Sequence, residues 1–317
     1  MMTEREGQNF LQFAHKIGYD IGERMAQNIE VQFQKNFDFL PDFALFIASY
    51  KVKKTFSRHT TPPKHIQNSI RFFFHNAFDD DEPTKGKRKL KTQEKPPYVR
   101  VFPSELPYTS VFRSNSHVKV VSVFISAEYL KSFLKNDAEH FPFFFDKGSN
   151  FLIEEMMTDD ILRTINDIAR KEEPEALNSY YYKLKTMELL FYLFQSLNKR
   201  EQSVHQKLSS KDIKAIYSVR DKIISSLDKP SAIATLKQIA GMNELKMRQL
   251  FTQVFGMGIY DYYQHSRMKE AARLLRDEQL SVSEVGYQMG FENLSHFSRV
   301  FEKHIGKKPK KYSKELA

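Results

Sequence analysis

The sequence predicts an α+β chain. A mixed β/α region comes first, followed by an all-α region holding two helix–turn–helix units joined by a linker helix. Three observations predict this. Four short runs rich in β-branched and aromatic residues crowd the first 125 residues. From Ala127 onward, apolar residues recur at spacings of three and four. The last hundred or so residues also repeat themselves, with an offset of 49 to 50.

The strand-like runs are Ala44–Tyr50, Ser69–Phe74, Tyr98–Phe102 and His117–Ile125, each bounded by Pro, Ser, Asn or charge clusters. Between the second and third, Asp79–Lys91 places four acids ahead of a basic run, the composition of a solvated loop. After Ala127, Tyr129, Leu130, Phe133 and Leu134 fit one helix face, and Ile161, Leu162, Ile165 and Ile168 fit another. A longer helix follows, with Pro174 expected in its first turn. Its residues Leu177, Tyr180, Leu184, Met187, Phe191 and Phe194 form a seam that suits pairing across a dimer. Tyr181, Leu190, Leu193 and Leu197 widen the apolar face, so the helix is expected to pack on its own sheet as well. Lys199–Ser210 is polar and aperiodic, which places a boundary near residue 207. The expected domains are therefore 1–207, with strands to about residue 125 and helices after, and 208–317.

The repeat defines the second domain. Ile233-x-x-Leu236-x-x-Ile239-Ala240-Gly241-Met242 aligns with Val282-x-x-Val285-x-x-Gln288-Met289-Gly290-Phe291. Met247-x-x-x-Phe251-x-x-x-x-Gly256 aligns with Phe297-x-x-x-Phe301-x-x-x-x-Gly306. Each copy reads as a short helix, a Gly turn and a second helix, and the second copy opens on a capping box, Ser281-x-x-Glu284. In the first copy Met247, Leu250, Phe251 and Val254 form the packing stripe, leaving Leu245, Arg248, Gln249 and Thr252 on the opposite face. In the second, Phe297, Val300, Phe301 and Ile305 pack, while Ser295, His296, Ser298, Arg299 and Lys303 lie outward or on the flank. Arg suits guanine and Gln suits adenine by paired hydrogen bonds, and Leu suits a thymine methyl. The connecting segment Ile259–Leu275 is helical in pattern and spans about 25 Å at 1.5 Å per residue. That length suits two heads in successive major-groove segments of one duplex, about 34 Å apart.

Charge agrees with this reading. The chain carries 49 Lys and Arg against 39 Asp and Glu, a formal charge of +10. From Lys211 onward there are 19 basic and 12 acidic residues, a surplus of 7, which leaves +3 for the first 210. A basic surplus concentrated in one domain favours a polyanionic partner.

These residues resemble the AraC/XylS family of bacterial transcription regulators. The resemblance rests on Ala240–Phe251, Phe255-Gly256, the Arg267…Ala271…Leu274-Leu275 spacing, and Gly290–Phe301 with Gly306 and Pro309. It covers about residues 211–317. Gly286, Gln288 and Met289 depart from the small or apolar residues common at those positions, and Lys237 replaces the usual Ala. The resemblance implies sequence-specific binding of double-stranded DNA. It makes Leu245, Arg248 and Gln249 the base readers of the first unit and Ser295, His296 and Arg299 those of the second. It further implies an N-terminal effector and dimerisation domain, a small-molecule effector, a homodimer, contact with RNA polymerase, and activation rather than repression. The run Gly241–Lys246 is most similar to the subgroup that senses iron–siderophore complexes, a likeness lying in the reading head and not in the sensor.

Other chemistry finds little support. With no cysteine, disulfides, thiolate metal sites, thiol nucleophiles and the alkyl-acceptor thiol of related repair proteins are excluded. No Walker A loop, GxGxxG, GxSxG or HExxH motif is present. His59, His65 and His75 match no ligand spacing. No catalytic residue, metal or cofactor is expected, and the chain does not read as an enzyme. Phe72–Phe74 and Phe141–Phe145 suit either a core or an apolar ligand pocket, with Arg71, Arg100 and Arg113 as anchors for an anion in the second case. The N-terminal stretch carries two acids and no apolar core, so it does not read as a secretory signal. The longest apolar runs, Phe43–Ala48 and Leu189–Phe194, fall far below the roughly 20 residues that span a bilayer. No membrane partner is expected, and a cytoplasmic location follows. Two alternatives stand beside a regulator: a small-molecule-binding protein or enzyme with an accessory DNA-binding module, and a nonspecific architectural DNA binder.

Overall fold

The computed structural model describes residues 13, 16–17, 27–59, 68–78, 97–106, 109–146, 150–170, 176–200 and 206–314. It divides into two compact units, with the break between Ser210 and Lys211.

In the first unit, strands β1 (Ile29–Leu40), β2 (Phe43–Val52), β4 (Ser69–His75), β5 (Tyr98–Pro103), β7 (His117–Ser126) and β8 (Ile153–Met156) form one sheet. Its order is β1-β2-β7-β4-β5-β8, and β3 (Phe56–His59) pairs with β6 (Thr109–Phe112) in a second, two-stranded sheet. All pairings are antiparallel. Register puts one row of apolar side chains across all six strands: Phe37, Leu45, Val123, Phe72, Val101 and Ile153. That row belongs to a single core, which also takes in residues of helices α1 (Ala127–Leu134), α2 (Asp159–Ala169) and α3 (Asn178–Leu197). The α1 and α2 helices start at side-chain caps, Ser126 accepting from Tyr129 N and Thr158 from Ile161 N.

Besides the short strands β3 and β6, which the sequence reading does not contain, three features differ from it. The sheet does not end at residue 125: β8 follows α1 and two 3₁₀ turns and pairs along β5. Four residues are too few for periodicity to mark as a strand. β1 is likewise not among the strands the sequence predicts, although Val31, Phe33, Phe37 and Phe39 alternate. The third is α3, which starts at Asn178 behind Leu177 in a left-handed conformation (φ 57°), rather than at Pro174. Pro174, His65 and the Asp79–Lys91 loop lie outside the described residues.

The second unit is helical: α4 (Ser210–Ile224), α5 (Ile233–Ala240), α6 (Glu244–Phe255), α7 (Ile259–Asp277), α8 (Val282–Gln288), α9 (Leu294–Ile305) and α10 (Pro309–Lys314). α5–α6 and α8–α9 are the two copies of the repeat, and α7 connects them. Nineteen residues make α7 about 28 Å long. The first copy buries Leu236, Ala240, Met247, Leu250, Phe251 and Val254, and α4 adds Tyr217 against Phe255 at 5.6 Å. The second copy packs Val285, Phe291, Phe297 and Phe301 on Met268, Ala271 and Leu275 of α7.

Candidate nucleic-acid interface

Each reading helix is set by its cap. Asn243 accepts from Lys246 N at 2.8 Å, and Asn293 accepts from Ser295 N at 2.9 Å and His296 N at 3.0 Å. These bonds satisfy amides that a helix start leaves open, so α6 and α9 begin at defined residues and present defined faces. Both halves of the predicted capping box on α8 are made, Ser281 N to Glu284 at 2.8 Å and Glu284 N to Ser281 at 3.2 Å.

The turn preceding α6 has Gly241 at φ 59°, and the turn preceding α9 has Gly290 at φ 73°. The second turn is the more tightly held. Arg267 of α7 is buried, donates from Nε to the Met289 carbonyl at 2.7 Å and again from Nη2, and lies 3.7 Å over the Phe291 ring. Tyr263, on the same helix, donates to the Leu227 carbonyl at 3.1 Å. Burial lowers the Arg267 pKa from its ordinary value, and the nearby tyrosines and Asp228 oppose that shift. At Gly286 of α8 an added Cβ would sit 2.5 Å from Leu294 Cδ2 and 3.3 Å from the Phe297 ring, both on α9, so those side chains would have to shift.

On α6, Leu245 (69% exposed), Arg248 and Gln249 face solvent and Thr252 is half-buried. On α9, Ser295, His296, Arg299 and Lys303 are exposed and Ser298 is half-buried. The opposite faces, Met247, Leu250, Phe251 and Val254 on α6 and Phe297 and Phe301 on α9, are buried. Each head is therefore an amphipathic helix with a polar outer face. His296 rests edge-on against Phe291, with ring centres 5.5 Å apart, so its imidazole is oriented by packing. Lys246 is paired with Asp212 of α4 at 2.7 Å, which ties the start of α6 to α4.

One residue on this face escaped the sequence reading. Glu244, the first residue of α6, accepts from Arg248 Nε and Nη2, both at 2.8 Å. Its signal was the Glu-x-x-x-Arg spacing, the usual i,i+4 ion pair.

The six residues expected to form a seam on α3 do not behave alike. Leu177 (76%), Tyr180 (60%), Leu184 (52%) and Phe191 (57%) are exposed. Met187 is partly buried against the core. Phe194 points inward, with its ring 5.2 Å from Phe141 and 6.0 Å from Phe72, because the wide apolar face of α3 turns that side to the sheet.

The Phe-rich segments form a core. Phe72, Phe141, Phe144, Phe151 and Phe194 make mutual ring contacts of 5.1 to 6.2 Å. The three arginines weighed as anchors are not gathered in one place. Arg71 is fully buried on the other sheet face, donating to Ser104 Oγ at 2.9 Å and lying 5.7 Å over Phe124. Arg100 pairs with Glu154 at 2.8 Å, both nearly buried, and Arg113 is exposed in the β6–β7 turn. A shallow cleft lies elsewhere, at the β1–β2 turn, lined by Lys16, Asp38, Phe39, Leu40 and Pro41. His59 and His75 sit in different sheets, and among the described residues no group of three or more His, Asp or Glu could hold a metal ion. Among the described residues no helix is long and apolar enough to cross a membrane.

Two capped, outward-facing reading helices joined by a linker helix define a double helix-turn-helix module of the DNA-binding class. Residues 236–315 match the helix-turn-helix domain family. The matched relatives are regulators. The chain is 30% identical over 95 residues to the HTH-type transcriptional regulator GlxA of Rhizobium meliloti, covering 30% of this chain and 29% of that protein. It is 33% identical over 99 residues to the regulatory protein PchR of Pseudomonas aeruginosa, covering 31% of this chain and 33% of that one. The chain thus spans about a third of the length of the relatives it matches. A solved AraC-type transcriptional regulator from Chromobacterium violaceum is similar at 20% identity with a TM-score of 0.32, over 34% of this chain and 97% of its own.

Proposed function

We propose that the chain is a sequence-specific double-stranded DNA-binding transcriptional regulator, a ligand-responsive activator acting in the cytoplasm and not an enzyme. The observation that carries this reading is the pair of reading helices, each with a buried apolar face and an exposed polar one. In this reading α6 enters one major-groove segment with Leu245, Arg248, Gln249 and Thr252. α9 enters the next with Ser295, His296, Ser298, Arg299 and Lys303. Lysines and arginines around them neutralise phosphates and supply salt-dependent affinity, while the base contacts supply specificity.

Residues 1–207 then serve as the effector and dimerisation domain, and residues 208–317 as the DNA-binding domain. A second copy of the chain pairs along Leu177, Tyr180, Leu184 and Phe191 of α3. Binding of a small-molecule effector shifts a pre-existing equilibrium between DNA-competent and incompetent arrangements. RNA polymerase is the further partner of an activator.

Selection of fragmented genomic DNA on the purified full-length protein, at stated salt, tests the reading. The expected result is a motif of two short blocks about one helical turn apart. Arg248→Ala and Arg299→Ala should each weaken binding to that motif by about 1–3 kcal/mol and relax one position in their own block. Fragments bound without a common motif, or a loss uniform across all sequences, would instead indicate an architectural binder.

A further inference from the structure

The two heads are copies of one repeat, yet they do not present the same chemistry. With the offset of 50, Glu244 corresponds to Leu294 and Arg248 to Ser298. Leu294 is tucked against Gly286 and turns no charge outward. The first head alone therefore carries a carboxylate at its leading residue, joined to a guanidinium one turn later by two contacts of 2.8 Å. Both side chains remain nearly half exposed, at 43% and 47%.

An exposed carboxylate on a surface that approaches a polyanion is opposed by every nearby phosphate. An ion pair this exposed adds only a few tenths of a kcal/mol to a helix. The ion pair alone is thus a weak reason for Glu244 to stand there, and a carboxylate in the first turn adds only about 0.3–1 kcal/mol at the helix N-terminus. Base chemistry offers a stronger one. The leading residues of a reading helix reach base edges, and a carboxylate accepts from the amino group of cytosine, whereas phosphate and the guanine major-groove edge offer it no donor. A guanidinium has five N–H donors, so Arg248 can hold Glu244 and still present an edge to guanine O6 and N7. Four residues of helix rise about 6 Å, against about 3.4 Å per base step, so the two side chains address pairs one or two steps apart.

We infer that Glu244 is a specificity-determining residue of the first head. It selects cytosine directly and holds Arg248 in place to select a guanine one or two steps away, so that the block read by α6 contains a C and a G while the block read by α9 has no such requirement. This rests on the double-headed DNA reading above.

The test is selection from random duplexes with wild type, Glu244→Gln and Glu244→Ala as full-length proteins, together with the thermal midpoint of each. Wild type should enrich two unlike blocks. Glu244→Ala should lower the preference for cytosine at one position by roughly 5- to 150-fold, leave the second block unchanged, and raise affinity for unrelated DNA. Glu244→Gln, which keeps the size and can donate as well as accept, should move that position toward other bases with little change in midpoint. A wild-type motif that both variants retain overturns the assignment of Glu244, including where the midpoint falls, since that is the mark of a purely structural residue. Absence of any wild-type motif overturns the double-headed reading and this inference with it.

Discussion

Gly241 and Gly290 occupy the same position in the two copies of the repeat, so the sequence alone assigns them one role. The structure assigns them unequal costs. Both sit at positive φ, 59° and 73°. An alanine at either must adopt a left-handed conformation, which costs about 1–2 kcal/mol. At Gly241 an added Cβ meets nothing within 4 Å, so the cost ends there. At Gly290 the same atom would lie 2.1 Å from the Asp228 carbonyl oxygen and 3.2 Å from its Cα. Ordinary contact begins near 3.5 Å, so the 227–228 segment must withdraw by more than about an ångström. That movement pulls on the Tyr263 bond to Leu227 and on the Arg267 clamp at Met289. Overpacking of this kind adds about 1–3 kcal/mol, for a total of about 2–5 kcal/mol. The assay is amide hydrogen exchange of the full-length protein, read peptide by peptide. Gly241→Ala should speed exchange of 233–255 by roughly 5- to 30-fold, and Gly290→Ala should speed that of 282–305 by 30-fold or more. Equal effects, or a larger one at Gly241, would refute the claim that the Asp228 contact sets the difference.

Acid should weaken the DNA-binding unit. Burial, Lys269 and His304 hold the His265 pKa at about 4, and burial also lowers His304, aided by Lys303 and opposed by Asp261. A histidine depressed below its unfolded value of about 6.5 leaves stability intact above that pH. Between pH 6.5 and about 4 the unfolded chain takes up the proton first, so stability falls as pH falls, by about 2 kcal/mol at pH 5. Thermal midpoints of wild type and His265→Gln at pH 7 and pH 5 check this, and an equal acid response in both would remove His265 as the cause. Separately, Leu184→Asp and Phe191→Asp place charge on exposed positions of α3 and should convert a dimer to monomer in sedimentation at micromolar concentration. Unchanged mass, with the helical signal retained, would move the dimer contact off α3.

Much of the second unit was legible because its determinants are local. The cap at Ser281, the glycine turns and a three-four apolar spacing are each written within a few residues, and the repeat states the last two twice. The outward positions of both reading helices follow from that spacing alone. The sequence by itself therefore settled the order and type of the five helices of the repeat and its linker, four of the strands and the basic surplus of the last third.

Tertiary structure decided the rest, because it depends on partners distant in the chain. β8 is a strand only because β5 offers it an edge, and Phe194 leaves the α3 seam only because Phe72 and Phe141 lie beneath it. Arg100 suits an anion anchor by sequence, but Glu154, 54 residues away, already occupies its guanidinium. Gly290 differs from Gly241 through a carbonyl 62 positions earlier in the chain. Spacing along a helix reports which residues share a face, but burial, ion pairing and steric room are set by whatever the fold brings against that face.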